Sequence, residues 1–434
     1  MLLIYAPVIS ERLKYITATL FQSVGFTQWQ LSNNKTEVEN FTGNCIVYDT
    51  IPINNHYHIY PHTLLFEKNI QAQAIVCTKW DDLPVLFPVN KGNLPFDILA
   101  ASFYLLSRYE EYSSPEKDAY GRFPYHESIA YKENFLSIPL INYWLNKWFQ
   151  HHFWQNLLPN FKATVFSCIP TYDVDIAFKY AHQSILKNFK QGLKNSVTGN
   201  FSAIKQQLLA LKNGDNDVFN CFAEILTQNK QYGLNPLFFI LSANKQTSID
   251  KQVSISKKGM QLLIKKLAAK STIGIHPSSE SNHSKEALEN EINNLFNINE
   301  LPIQYSRQHY LILNWPNTYK QLIDLGINRD YSMGYSGKNG FRASFAKPFH
   351  WFNLAKNEVT PLIIYPFAYM DANAIYYEKQ QPHEALQELI GLYEKVKGVN
   401  GVFIPIFHNH FMGYESEGTP WRTLHHEFLK YASQ

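Results

Sequence analysis

Two carboxylates one residue apart, in Thr171-Tyr172-Asp173-Val174-Asp175, follow an apolar run at 163–169. Acids at the end of a buried strand are poorly placed for a core and well placed for a site, because parallel sheets gather their chemistry at strand carboxyl ends. Strand alternation would point Asp173 and Asp175 the same way, so that one can hold a divalent cation while the other handles a proton. A second apolar run ends in Ile275-His276 and opens the loop Pro277-Ser278-Ser279-Glu280. A helix-like turn there would bring Glu280 to the same side as His276, giving a second candidate ligand. Ser306-Arg307-Gln308-His309-Tyr310 adds a guanidinium and an imidazole, and the last apolar run ends in Phe407-His408-Asn409-His410. Each member taken singly has an ordinary structural explanation. Together, two acids, several imidazoles and one arginine near strand ends form the composition of a mononuclear metal hydrolase.

These residues need a scaffold that brings strand ends together. After residue 160 the pattern alternates strands, at 163–169, 237–241, 272–275, 304–310, 362–365 and 402–407, with helical segments at 257–270 and 285–296. In the first of these helices Met260, Leu263, Ile264 and Leu267 keep helical spacing, and the alternation predicts a mostly parallel α/β sheet. A Lys-, Asn- and Gln-rich insertion at 184–217 directly follows the D-x-D strand and is placed either as a lid or as a surface excursion. Residues 1–160 read as a smaller α/β accessory domain, and 161–434 as the domain carrying the site. The first domain has short strands at 2–6 and 44–48, an aromatic helical block at 96–112, and no catalytic cluster. In 106–112 and 118–123 charges of both signs lie among aromatics, which predicts buried ion pairs in preference to a small-ligand pocket. His56, His58 and His62, near Pro52 and Pro61, read as an exposed turn without metal-ligand spacing.

Composition narrows the classes. The 434 residues carry 39 basic and 36 acidic side chains, a net charge of +3 without long basic runs, so no nucleic-acid footprint and no polybasic tract stands out. Four scattered cysteines suggest neither a zinc knuckle nor a disulfide framework. The apolar start at residues 1–9 lacks a basic lead, and no apolar run reaches the roughly 20 residues needed to cross a bilayer. The expectation is a cytoplasmic protein whose partner is not advertised by charge; aromatics at 15% of the chain build the core and can also supply flat platforms for sugar rings.

With those motifs in place, the chain from about 163 to its end resembles the polysaccharide deacetylases with NodB homology, carbohydrate esterase family 4. The resemblance implies a distorted (β/α) barrel and a metal-dependent carbohydrate deacetylase; the mixed nitrogen and oxygen candidates make zinc the expected metal. TYDVD resembles the first motif, which makes Asp173 the general base and Asp175 a metal ligand. His276 in GIHPSS resembles the first histidine of the second motif, Arg307 in SRQHY the arginine that orients the base, and His408 in IPIFH the histidine that acts as general acid. Asp330 in NRDYS is similar to a later acidic motif, and Arg342 in GFRAS to a signature of a branch with an extra N-terminal domain. Those two residues, with Trp315 as a stacking platform beside Tyr335 or Phe349, are the expected substrate contacts. One departure is clear: the family's second metal-binding histidine corresponds to Glu280. Either Glu280 replaces it, or His309 enters from the neighbouring strand, or the metal site is weakened or lost. The loss would leave a catalytically degenerate carbohydrate-binding protein, and the same residues would equally serve a hydrolase of other amides.

Overall fold

The computed structural model describes residues 1–434, the Ser113 side chain excepted. Two parallel sheets organise the chain. The smaller has strands in the order Trp29–Ser32, Leu2–Tyr5, Cys45–Tyr48 and Tyr57–Ile59. The helix Glu11–Ser23 follows its first strand and is capped by Ser10, whose hydroxyl accepts from the Leu13 amide. His58 is buried in the fourth strand rather than exposed in a turn, and its Nε2 reaches the Asp49 carbonyl at 2.7 Å.

The larger sheet has nine strands. From one edge the order is Phe349–Asn353, Glu358–Ile364, Arg329–Asp330, Tyr305–Ser306, Thr272–His276, Leu237–Leu241, Thr171–Val174, Pro405–His408 and Tyr369–Met370. Every neighbouring pair is parallel except the first, which is antiparallel. Leu237–Leu241 is buried throughout, as a parallel strand covered on both faces must be. The helices Lys258–Ala268 and Lys285–Asn299 pack on this sheet, the first through the four apolar residues named above.

Several expected strands are shorter than their apolar runs. At 163–169 only Ser167–Cys168 pairs, with Val402–Phe403, and Val165 is 82% exposed. Pro170, which has no N–H to donate, separates that fragment from Thr171–Val174, so the D-x-D acids stand at the end of a new strand. The 304–310 run keeps only Tyr305–Ser306 as strand before the backbone turns through Tyr310 and Leu311, both at positive φ.

One apolar core runs from the first sheet into the second. Tyr15 packs on Phe352 with ring centroids 4.9 Å apart and donates to the His350 carbonyl, while the Asn142 side-chain carbonyl accepts from the Ala346 amide. Close packing also governs the strand that carries His276. A Cβ on Gly274 would lie 2.9 Å from the Tyr305 carbonyl and 2.7 Å from the Phe239 ring. Gly274→Ala is therefore expected to lower stability by about 1–3 kcal/mol, read by urea denaturation.

Candidate metal centre and active site

Register brings the chemistry together. Asp173 pairs with both Phe239 and His408 across neighbouring strands, and His276 pairs with Leu241, so three polar side chains emerge at adjacent carboxyl ends. They open into a cavity of about 420 Å³ that is also lined by Asp175, His309 and His410.

Asp175, His276 and His309 each offer one ligand atom, all within 4.8 Å of one another. His276 Nε2 lies 3.2 Å from Asp175 Oδ1, and His309 Nε2 lies 3.7 Å from Asp175 Oδ2. The other nitrogen of each ring is committed outward. His276 Nδ1 donates to the Arg307 carbonyl at 2.5 Å and His309 Nδ1 to Asp250 Oδ1 at 2.8 Å. Since both partners accept hydrogen bonds, Nδ1 carries the proton in the neutral rings, which leaves Nε2 as the nitrogen that would face a cation once any proton there is displaced. Asp175 Oδ1 is buried and has no hydrogen-bond donor despite the nearby His276 nitrogen. Two lone pairs facing each other across 3.2 Å suit a bridging cation, so the donor set fits a divalent metal.

The local field has the right sign. Asp173 and Asp175 line the cavity, Asp250 and Asp371 back the His309 and His408 rings, and the cationic side chains nearby are Arg307 on Asp173 and, on the cavity wall, Arg122 and Lys251. Burial alone would raise the Asp175 pKa, but the His309, His276 and His408 rings outweigh it and hold this carboxyl well below the usual range. Burial would lower the His309 pKa, yet Asp175 and Asp250 lift it to about 9.

Beside the three donors stand two further pairs. Arg307, fully buried, donates from one terminal nitrogen to Asp173 Oδ1 at 2.8 Å, from Nε to the Tyr331 carbonyl at 3.1 Å, and covers the Phe239 ring. His408 Nδ1 donates to Asp371 Oδ1 at 2.6 Å, and the other Asp371 oxygen accepts from the His408 amide at 2.7 Å. Burial opposes protonation of His408, but Asp371 first and Asp175 second raise its pKa to about 9. Its free Nε2 faces Asp175 Oδ2 at 3.7 Å. His410 is the opposite case: burial and the His408 charge lower it to about 3, leaving a neutral ring on the cavity wall.

Several sequence-derived candidates lie elsewhere. Glu280 is exposed and outside the donor cluster, because Pro277 starts a turn rather than the helix that would have aligned Glu280 with His276; His309 stands in its place. Arg342 does not reach the cavity. It is buried against Glu111, at 2.5 Å and 2.9 Å, and against the Gly334 carbonyl. Asp330 is buried accepting from Ser306, Tyr319 and Ser332, a knot that ties neighbouring loops together. Trp315 donates to Glu111 Oε2 and stacks on Tyr112, while Tyr335 and Phe349 are buried. The aromatic surface at the cavity comes instead from Tyr120, Tyr310, Tyr376, Tyr377 and Phe411.

The structure also gives a place at the site to residues that sequence patterns had not put there. Asp250 sits in the loop after Leu237–Leu241 and has no periodic signal; Asp371 directly follows the short strand Tyr369–Met370. Arg122 reaches over from the first 160 residues, donating to the Tyr310 carbonyl at 2.8 Å and bonding Asp118 at 2.7 Å. It braces the turn that presents His309. Outer partners of ligating histidines typically contribute a factor of about 10–100 in metal affinity. Asp250→Ala is expected to weaken metal binding by that factor, as measured by titration calorimetry, with the fold retained.

Residues 2–154 match a family of unknown function, DUF7033. A search of curated proteins gives no match. Among solved structures, a protein assigned as a polysaccharide deacetylase from Mycobacterium smegmatis is similar at 13% identity, with 62% of this chain and 87% of that chain covered and a TM-score of 0.40. Puue allantoinase is similar at 12% identity over 62% and 83% of the two chains, with a TM-score of 0.38. The polysaccharide deacetylase Bc1974 from Bacillus cereus is similar at 12% identity over 62% and 89%, with a TM-score of 0.31. At these values the site's own geometry carries the chemical argument.

Proposed function

We propose that this chain is a metal-dependent hydrolase that removes N-acetyl groups from an N-acetylated sugar of a polysaccharide or its precursor. One observation carries the reading: the potential ligand atoms of Asp175, His276 and His309 converge beside a separate Asp173–Arg307 pair and a carboxylate-backed His408. A divalent cation held there, zinc by the mixed nitrogen and oxygen donors, supplies Lewis acidity toward an amide carbonyl and makes water more acidic. Asp173, oriented by Arg307 and outside the three donors, accepts a proton from the attacking water. His408 in its protonated form gives a proton to the amine nitrogen as the C–N bond breaks, so acetate and a free amine leave. Rings such as Tyr120 and Tyr310, 5.0 Å apart at the cavity, offer flat faces for a sugar.

The unbroken run of parallel strands in the main sheet, from Glu358–Ile364 to Tyr369–Met370, suits an open (β/α) barrel. Residues 1–160 serve as an accessory domain that builds one wall through Tyr120 and Arg122. His309 as third donor speaks against the degenerate reading that Glu280 had suggested.

The test is metal content and acetate release from N-acetylated oligosaccharides, for wild type and His276→Ala. The wild type should hold one divalent cation and release acetate until chelated; His276→Ala should lose both. A metal-loaded wild type that releases no acetate from a broad substrate panel would overturn the hydrolase in favour of a carbohydrate-binding protein.

A further inference from the structure

The insertion after the Asp173 strand folds as two helices, Ile185–Val197 and Phe201–Lys212, and its polarity is inverted. Helices on a water-soluble protein ordinarily bury an apolar stripe and turn polar residues outward. Here the contact between the helices and the body is made by amides and small residues. Asn195, Ala203, Gln207 and Ala210 are buried, Gln207 donates to the Asn188 carbonyl at 2.7 Å, and Asn188 donates to the Tyr180 carbonyl at 2.9 Å. The large apolar side chains face out: Ile185 is 90% exposed, Phe189 69%, Val197 81% and Phe201 79%, with Leu193 and Leu208 beside them. At positions 185, 189, 193 and 197 they form one stripe along the first helix.

The charge is equally one-sided. Lys187, Lys190, Lys194, Lys205 and Lys212 are exposed, and no acidic residue occurs from 184 to 214. Without these five, 34 basic residues face 36 acidic ones, so the chain's positive excess resides in this hairpin. Helices of 13 and 12 residues are too short to cross a bilayer. An exposed apolar stripe flanked by lysines is the composition that lies in a lipid interface. A second copy of the chain is a poorer occupant, because a symmetric contact would set these lysines against one another.

We propose that the hairpin 184–212 docks the protein on an anionic phospholipid surface, with the apolar stripe in the headgroup layer and the lysines on lipid phosphates. The hairpin is joined to the Asp173 strand by the connection 175–184, whose first residues, Asp175 and Ile176, line the cavity.

The full chain should float with vesicles of phosphatidylcholine and phosphatidylglycerol and remain behind with phosphatidylcholine alone. The double substitutions Phe189→Ser/Val197→Ser and Lys190→Glu/Lys194→Glu should each lower partitioning at least about tenfold. All four positions are exposed, so circular dichroism should be unchanged. Absent flotation of the wild type, equal flotation of the variants, or equal binding to neutral vesicles would overturn the proposal. Light scattering that shows a dimer broken by Phe189→Ser/Val197→Ser, with no flotation, would assign the stripe to a second copy instead.

Discussion

Asp173→Asn is expected to lower acetate release by a factor of about 10²–10⁴ while the chain keeps its metal, the usual cost of removing a positioned general base. The geometry separates the two acids of the D-x-D pair. Asp173 Oδ1 is held at 2.8 Å by Arg307, and its other oxygen is 3.7 Å from His276 Nε2. Asp175 alone belongs to the three converging donors. An amide at 173 retains shape and a hydrogen-bond acceptor for Arg307 but has no basic oxygen for the water proton. Asp175→Asn should behave differently, losing metal before any question of rate arises. Metal stoichiometry and acetate release, measured on both variants, give the answer. Equal metal loss would mean that Asp173 is also a ligand, and an active Asp173→Asn would transfer the base role elsewhere.

The second large effect concerns stability and is centred on Glu111. Its carboxylate is buried between two arginines, with Arg108 Nε at 2.7 Å on one oxygen and a terminal Arg342 nitrogen at 2.5 Å on the other, which also accepts from Trp315 Nε1. Glu111→Ala leaves the buried Arg342 guanidinium without its carboxylate, a change that typically costs about 3–5 kcal/mol. Guanidinium denaturation at neutral pH measures it, and a loss below about 1 kcal/mol would show that water reaches the arginines. The pH dependence has a definite sign. Burial would raise the Glu111 pKa, but Arg342 and Arg108 overcome it and hold it at about 2, below the ordinary 4.5. A folded-state pKa below the unfolded one adds stability that is complete above 4.5 and is lost as pH falls toward 2, and Glu111→Gln should flatten that acid limb.

Buried ion pairs were legible where charges of both signs fell among aromatics, as at 106–112 and 118–123. Their partners were not. Arg342 and Trp315 were expected at the substrate and are instead consumed by Glu111, because once desolvated a carboxylate draws in every donor within reach. The donor is chosen by the fold, from 231 residues away in the case of Arg342.

The metal centre divides along the same line. Asp173, Asp175, His276, Arg307 and His408 were readable from sequence, since a polar residue closing an apolar run must lie at a strand end, and parallel strands collect those ends on one side. The amino-acid sequence by itself thus determined the alternating α/β grammar, the carboxyl-end location and five members of the constellation. Tertiary structure alone decided that Asp175 and His276 are joined in the candidate donor cluster by His309 and not Glu280. Both stand in short irregular segments without periodicity, where side-chain direction is set by distant contacts: Asp250 holds the His309 ring, Arg122 braces the turn at Tyr310, and the turn at Pro277 leaves Glu280 in solvent. Periodicity encodes which face of a regular element is buried; where an irregular loop aims its side chains depends on hydrogen bonds across long sequence separations, which only the folded chain brings into range.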